Sequence, residues 1–206
     1  MPARICKHVG LPPGTGMTHT FRKEFCPRVG ERHVMVSLIS LAAIIGPQDL
    51  KPTVPAPRSI TPVDLPKLAD LYQYAYADGT SRPDSEKAAG RIRAVFDGIH
   101  GTPIPQASLL TADADGHITA AIVTTERALG SDESRTAFIA ELFTHPDHRR
   151  QGIAEDLLSH AMQALHDLGH KTLAVTVNSG NAAAIALYLS RDFRRLTQAA
   201  HPRPTG

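Results

Sequence analysis

The sequence predicts an α/β protein in which β-strands and amphipathic helices alternate along one chain. Two observations lead to this prediction. A strand-prone run, a polar turn and an amphipathic helix follow one another between residues 138 and 168. Around this segment the predicted elements come in the order strand, two helices, hairpin, strand, helix, strand and helix. With 206 residues, 42% of them apolar, the chain is long enough for one domain with residues left over.

Composition and charge restrict the function classes. The chain carries 22 Lys and Arg against 20 Asp and Glu, a net charge of +2. This balance argues against a general nucleic-acid binder or an anionic-membrane binder and leaves only local basic patches. Both cysteines, Cys6 and Cys26, lie outside the predicted domain. The fold therefore needs no disulfide, and we expect a cytoplasmic protein.

The N-terminal part is predicted to lie outside the domain. The boundaries we predict are an N-terminal extension, a domain and a short tail, at residues 1–45, 46–200 and 201–206. Up to about residue 33 the extension lacks a hydrophobic period and is predicted to be disordered. Translation from Met17 or Met35 is an alternative account of this segment. A metal site is disfavoured, because the spacing of the candidate ligands matches no standard zinc pattern: Cys6, His8, His19, Cys26 and His33.

The first apolar segment, residues 34–45, is uncharged and too short to span a bilayer. It imitates a signal peptide, but a long segment containing acids precedes it and no convincing cleavage site follows. We therefore expect a strand or short helix packed on the domain. Six prolines from Pro47 to Pro66 then predict an extended connection.

Two helices are predicted next. Thr61 as N-cap, Pro62 at the first position and Asp64 three residues after the cap mark the start of the first helix. Ser81 or Asp84 would cap the second. Apolar residues at helical spacing supply the two buried faces: Leu65, Leu68, Leu71, Tyr72 and Ala75 in the first helix, and Ala88, Ile92, Val95, Phe96 and Ile99 in the second.

A hairpin and the central strand follow. The residues from Asp113 to Gly116 predict a turn between two strands, Ala107–Ala112 and His117–Thr125. A polar loop from Glu126 to Arg135 then leads to the strand Phe138–Thr144. Alternation along this strand places one set of side chains on a common face of the sheet: Ile139, Glu141 and Phe143.

The turn after the central strand carries the clearest functional signal. Its residues 149–154 include two small ones, Gly152 and Ala154, so the main chain can approach a ligand while the first amides of the next helix stay unpaired. The helix dipole, with Arg149 and Arg150 alongside, favours an anion at this point. The turn therefore predicts a diphosphate site. The alternative is a glycine that only ends a strand, beside solvated arginines.

Two further polar residues, Asn181 and Tyr188, follow downstream. After the predicted strand Leu173–Val177, Asn181 is the expected N-cap of a helix over Ala182–Ser190. Tyr188 lies two turns further on the same helical face, so both polar groups can contact one ligand. The alternative for Tyr188 is a half-buried core tyrosine whose hydroxyl is satisfied.

These stretches resemble the GNAT N-acetyltransferase superfamily. The run H-P-D-H-R-R-Q-G-I-A is similar to its acetyl-CoA-binding motif, in which Arg149, Gly152 and Ala154 match the defining positions. The run V-N-S-G-N-A-A-A-I-A-L-Y-L-S-R-D-F is similar to its second motif, except that Asp192 stands where the family often has Gly. Residues 58–66 also look like the family's first strand and helix. The resemblance implies a mixed sheet with helices on both faces, the GNAT acyl-CoA N-acyltransferase fold.

For chemistry, the resemblance implies direct acetyl transfer from acetyl-CoA to an amine of a small molecule or protein, without a metal. Tyr188 would protonate the leaving sulfur, and Asn181 would bind the coenzyme. Glu141 is either a base that acts through water or a polar rim residue without a chemical role. The remaining coenzyme contacts would come from Leu142, Phe143 and Thr144 along the pantetheine arm, and from Arg149, Arg150, Gln151, Gly152, Ile153 and Ala154 at the diphosphate.

Other readings stay open. A non-catalytic acyl-CoA-binding or protein-interaction module with the same fold is the main alternative. A dinucleotide-binding protein fits less well, because the turn does not have the G-x-G-x-x-G pattern. The acceptor amine and the oligomeric state, a homodimer included, are not determined by the sequence.

Overall fold

The computed structural model describes residues 37–50, 52, 55–77, 84–128 and 135–196. In this part of the chain, eight strands form one sheet: β1 Leu38–Ile44, β2 Arg58–Ser59, β3 Thr102–Pro103, β4 Leu109–Ala112, β5 Ile118–Ala128, β6 Arg135–Thr144, β7 Thr172–Asn178 and β8 Arg194–Arg195. Four α-helices accompany them: α1 Leu65–Ala75, α2 Ser85–Phe96, α3 Ile153–Asp167 and α4 Ala182–Ser190. The predictions for the N-terminal extension, its Cys and His residues, Ser81 and the tail fall outside the described residues.

The sheet is mixed, which confirms the predicted fold class. Its strand order is β2-β4-β5-β6-β7-β1-β8, and β3 pairs with β5 beside this path. The pair β6 and β7 is parallel, and the other pairs are antiparallel. No helix in the described ranges is both long and apolar enough to cross a bilayer.

Helices cover both faces of the sheet. Alternate residues of β5 belong to two separate apolar clusters, because successive side chains of a strand point to opposite faces. Ala120 and Ile122 pack with the buried side of α3, together with α4. Ala121 and Val123 pack with α1 and α2. The site described below lies where this two-sided cover is interrupted.

The strand β1 comes from the N-terminal apolar segment and lies between β7 and β8. It pairs with β7 from Leu38 to Ile44, and its residues Leu41 and Ala43 are buried in the α3-side cluster. The strand alternative predicted for residues 34–45 is thus confirmed. The domain boundary predicted at residue 46 falls after this first strand of the sheet.

Local signals placed most helix ends correctly. A 3-10 turn over Pro62–Asp64, with Thr61 as its N-cap, precedes α1. The Asp84 carboxylate accepts a hydrogen bond from Glu86 N at the start of α2. The assignment of Ile99 to the buried face of α2 is wrong: the helix ends at Phe96, and Ile99 is 72% exposed.

The hairpin is confirmed at Asp113–Gly116, but its second strand is longer than predicted. β5 continues to Ala128 and pairs with β6 from Arg135 onward. The polar loop predicted from Glu126 to Arg135 is therefore strand at both ends. Polar side chains are tolerated there because this end of the sheet is partly exposed, and Glu126 pairs with Arg135 at 2.8 Å.

Candidate active site

The site begins where the two parallel strands separate. β6 and β7 pair only at three positions, ending at Ile139 and Val175. Beyond this point β6 continues to Thr144 with β5 on one side and no strand partner in the described chain on the other. Unpaired main-chain groups along a strand edge can hydrogen-bond an extended ligand.

A β-bulge at Ala140 controls which way the strand presents its side chains. Val123 pairs with Glu141 and Thr124 pairs with Ile139, so Ala140 is an extra residue. The prediction that Ile139 shares a face with Glu141 and Phe143 is therefore wrong. Ile139 packs in the α3-side cluster, whereas Phe143 packs with α1 and α2.

The turn between β6 and α3 has the conformation of an anion site. Arg150 and Gly152 have positive φ angles of 64° and 80°. In the first main-chain hydrogen bond of the helix, Asp156 N donates to Gly152 O at 3.0 Å. Within the described chain, the amides from Arg150 to Glu155 have no hydrogen-bond acceptor. They are free to bind an anion at the positive end of the helix dipole.

The arginines and glutamine of the turn have different positions. The Arg149 guanidinium donates to Ala75 O at 2.6 Å and to Thr144 O at 3.4 Å, so it ties the turn to the end of α1. The Gln151 side-chain amide donates to Asp147 O at 3.3 Å. Arg150 is exposed beside them. The positive charge lies at the turn as predicted, with the Arg149 side chain partly committed to main-chain oxygens.

Asn181 caps α4, as the sequence predicts. Its Oδ1 accepts a hydrogen bond from Ala184 N at 3.1 Å. Since the oxygen is engaged in the cap, the side-chain NH₂ group is the part that can donate to a ligand.

One cavity of about 550 Å³ collects most of the predicted residues. It is long, open to solvent and bounded by the unpaired part of β6, the turn and α4. Gln151 and Glu141 do not line it. The predicted residues on its wall are Leu142, Phe143, Thr144, Arg149, Arg150, Gly152, Ile153, Ala154, Asn181 and Tyr188. The structure thus brings the two sequence motifs to one cavity of a size typical for ligand sites.

Tyr188 is buried on the cavity wall, with only 4% of its surface exposed. Within the described residues its hydroxyl has no hydrogen-bond partner, and its ring packs 5.2 Å from that of Phe193. Burial, with a contribution from the charge of Glu141, raises the pKa of Tyr188 above its usual range. The phenol therefore stays protonated at neutral pH.

Glu141 is buried on the α1 and α2 side of the sheet, with 7% of its surface exposed. Its Oε1 accepts from Arg91 Nε at 2.7 Å, and its Oε2 accepts from the Tyr76 hydroxyl at 3.2 Å. Burial and the nearby Glu141 charge raise the pKa of Tyr76, so this phenol also stays protonated. Both carboxylate oxygens therefore have a donor.

Two residues of this group were missed by sequence reasoning. Tyr76 follows the last turn of α1, and Arg91 lies on the exposed face of α2, fifty residues before its partner. Neither belongs to a motif, and a single Arg on a helix surface is normally solvated. Only the buried acid at position 141 could have indicated that a cation was needed nearby.

Comparisons with known proteins agree with this geometry. Residues 69–193 match the model of a family described as the acetyltransferase (GNAT) family. The [ribosomal protein bS18]-alanine N-acetyltransferase of Escherichia coli strain K12 is 39% identical over 69 residues. That match covers 34% of this chain and 47% of the relative, so the chain spans about half of the relative's length.

Solved structures give the same result for the fold. The ribosomal-protein-S18-alanine N-acetyltransferase from Escherichia coli is 26% identical with a TM-score of 0.51, over 69% of this chain and 79% of that one. A GCN5-related N-acetyltransferase from Sphaerobacter thermophilus has a TM-score of 0.56 at 17% identity, and the match covers 77% of this chain and 48% of that one. The second likeness concerns the fold alone. Since the family match covers more than half of the sequence, the chain belongs to the acetyltransferase (GNAT) family.

Proposed function

We propose that this protein is an acetyl-CoA-dependent N-acetyltransferase that transfers the acetyl group directly to a primary amine. The observation that carries the proposal is the single cavity between β6 and α4. It has unpaired amides at one end and a buried, protonated tyrosine on its wall. The amides suit a diphosphate, and the tyrosine suits a leaving thiolate.

The coenzyme would lie along the edge of β6. Main-chain groups of Leu142 to Thr144 would pair with the pantetheine arm as an added strand does. The amides from Arg150 to Ala154 would bind the diphosphate, with the NH₂ group of Asn181 as a further donor. The absence of a strand partner on this edge, within the described chain, supports the assignment.

The chemistry needs a neutral amine, a stabilised oxyanion and a proton for the departing sulfur. The amine nitrogen attacks the thioester carbon, so a C–N bond forms and the C–S bond breaks. The proton lost by the nitrogen passes to Glu141 through water, and the Tyr188 hydroxyl donates its proton to the sulfur. Tyr188 then recovers a proton from solvent. No covalent bond to the protein is required.

The acceptor class is suggested by the relatives. The Escherichia coli protein is named for an alanine of ribosomal protein bS18. We therefore include the α-amino group of a polypeptide that begins with alanine among the acceptors, beside small amines and amino sugars. An α-amino group has a pKa of about 7.7–8.0, so a useful fraction is neutral at physiological pH.

The test is consumption of acetyl-CoA in the presence of a panel of amines. The panel contains a peptide beginning with alanine, the same peptide with a blocked N-terminus, an amino sugar and a simple primary amine. Tyr188→Phe should lower turnover about a hundredfold with little change in coenzyme affinity. Tyr74→Phe, a tyrosine on the exposed side of α1, is the matched control.

Two results would change these conclusions. Coenzyme binding without acetyl transfer to any amine would contradict the proposed function and favour the non-catalytic module. Unchanged turnover in Tyr188→Phe would contradict only the role of Tyr188 as the acid.

A further inference from the structure

We propose that Arg91 and Tyr76 are positioning residues that hold the Glu141 carboxylate in place beside the cavity, where the acceptor amine loses its proton. This inference rests on the proposed function and adds two residues to it. Arg91 and Tyr76 act through Glu141, and Arg91 itself does not line the coenzyme cavity.

The geometry fixes the orientation of the carboxylate. Arg91 Nε donates to Oε1 at 2.7 Å, and the Tyr76 hydroxyl donates to Oε2 at 3.2 Å. The two donors come from different elements, α2 and the end of α1, so the carboxylate is held from both sides. Of the three residues, only Tyr76 lines the cavity. Oε2 is therefore the oxygen nearer to the reaction.

Charge explains why Arg91 is needed. Burial disfavours the ionised form of a carboxyl group, whereas a cation in contact favours it. Among the described residues, the charged and titratable groups that interact with Glu141 are Tyr72 and Tyr76 from the α1 side, Arg91 from α2 and Tyr188 from α4. Arg91 is the cation of this described set. Without Arg91, the buried carboxyl would lose its charged partner.

A fifth group lies behind Arg91. His100 Nε2 is 3.2 Å from a terminal nitrogen of the Arg91 guanidinium. Since arginine can only donate, this ring nitrogen is the acceptor of the bond. The contact helps to fix the side chain of Arg91, of which 43% is exposed.

The proton step can then be written with its balance. The amine N–H bond breaks as its proton moves to Glu141 through water. The Tyr76 hydroxyl keeps its own proton, because burial and the neighbouring carboxylate raise its pKa. Tyr76 therefore orients the carboxylate and does not lose its proton in this step. The proton for the sulfur comes separately, from Tyr188.

The first experiment measures Glu141 without any acceptor. In protein labelled with ¹³C at the glutamate side-chain carboxyl, the Glu141 resonance is assigned by its absence in Glu141→Gln. In Arg91→Gln we expect its chemical shift at neutral pH to differ from that of the wild type, because the carboxylate loses the Arg91 donor. Arg91→Lys, which keeps the charge, should restore most of the wild-type shift. Arg93→Gln, on the exposed surface of the same helix, is the matched control and should leave it unchanged.

The second experiment measures turnover with whichever amine of the panel is acetylated. Arg91→Gln should lower kcat about tenfold, because a carboxylate that has lost one of its two donors is less well placed to take up the proton, with the KM for acetyl-CoA unchanged. Tyr76→Phe should lower kcat without moving the KM for acetyl-CoA. The amine's own titration is common to all variants, so only differences between them count.

The outcomes separate the two proposals. Identical Glu141 chemical shifts in the wild type and Arg91→Gln would overturn the role of Arg91, whatever the activity. If Arg91→Gln does not fold, Arg91→Lys decides, since a lost guanidinium contact should lower kcat while the chemical shift stays near that of the wild type. Unchanged kcat in Arg91→Lys and Tyr76→Phe would then overturn the positioning role. A wild type inactive with every amine would refute the transferase, and the NMR measurement would still test the pair.

Discussion

The substitution Gly152→Ala separates a phosphate-binding role of the turn from a purely conformational one. Gly152 has φ +80°, and a Cβ there would meet no atom within 4 Å. Gly169, at the other end of α3, has φ +85° and equally open space. Both glycines therefore carry the same backbone strain if replaced, but only Gly152 lines the cavity. Gly169→Ala is thus a matched control.

The two stability effects should be equal. A left-handed backbone costs a non-glycine residue about 1–2 kcal/mol, and the lower entropy of the unfolded alanine chain offsets about 0.4–1 kcal/mol. We expect a net loss of about 0.5–1 kcal/mol in each variant, or about 1–4 °C in Tm for a chain of this length.

The binding effects should differ. The added Cβ would keep the phosphate away from the amides of the turn, and losing one hydrogen bond to a charged group costs about 1.5–3 kcal/mol. Gly152→Ala should therefore weaken coenzyme A binding about ten- to hundredfold. Gly169→Ala should bind with wild-type affinity. Calorimetric titration with coenzyme A measures both, and thermal unfolding without ligand checks that the stability losses match. Equal affinity in the two variants would refute the phosphate role of the turn.

Two further substitutions test the fold around the site. The Asp64 carboxylate accepts from Arg58 at 2.7 and 2.9 Å and from Thr61, and chiefly the Arg58 bond holds the pKa of Asp64 well below its usual range. Because its pKa is lowered, the ionised Asp64 stabilises the fold above about pH 4, and this stabilisation is lost as the pH falls. Asp64→Asn should therefore cost about 2 kcal/mol at pH 7 and much less at pH 3 in urea unfolding; equal losses at both pH values would contradict this. Asp192 has φ +61°, and its pair with Arg194 is exposed. Asp192→Gly should raise stability by about 0.5 kcal/mol, and a lower Tm would mean that the ion pair outweighs the strain.

Much of the fold and the coenzyme side of the site could be predicted, because their signals are local. The caps at Asp84 and Asn181 and the glycine after α3 each depend on a few consecutive residues. The turn at Gly152 is equally local, since unpaired amides at a helix start need only a short sequence and a small residue. Such local patterns form the same caps and turns whatever the tertiary fold around them.

The acceptor side could not be predicted in the same way. The contact between Arg91 and Glu141 joins two elements fifty residues apart, and neither residue type is unusual for a helix surface or a strand. The membership of β1 in the sheet likewise depends on pairing with β7, more than 130 positions further along the chain. Contacts of this range follow from the tertiary fold, which residue spacing alone does not encode.

The bulge at Ala140 explains why simple alternation failed at Glu141, the proposed base. In a regular strand, Glu141 would share a face with Ile139 and would enter the apolar cluster beneath α3, where burying a carboxylate is costly. The extra residue turns Glu141 to the opposite face, toward Arg91 and Tyr76. A bulge also increases the local twist of its strand. Since it lies directly after the last parallel pair, at Ile139, the same residue helps β6 to leave β7 where the gap between the two strands opens.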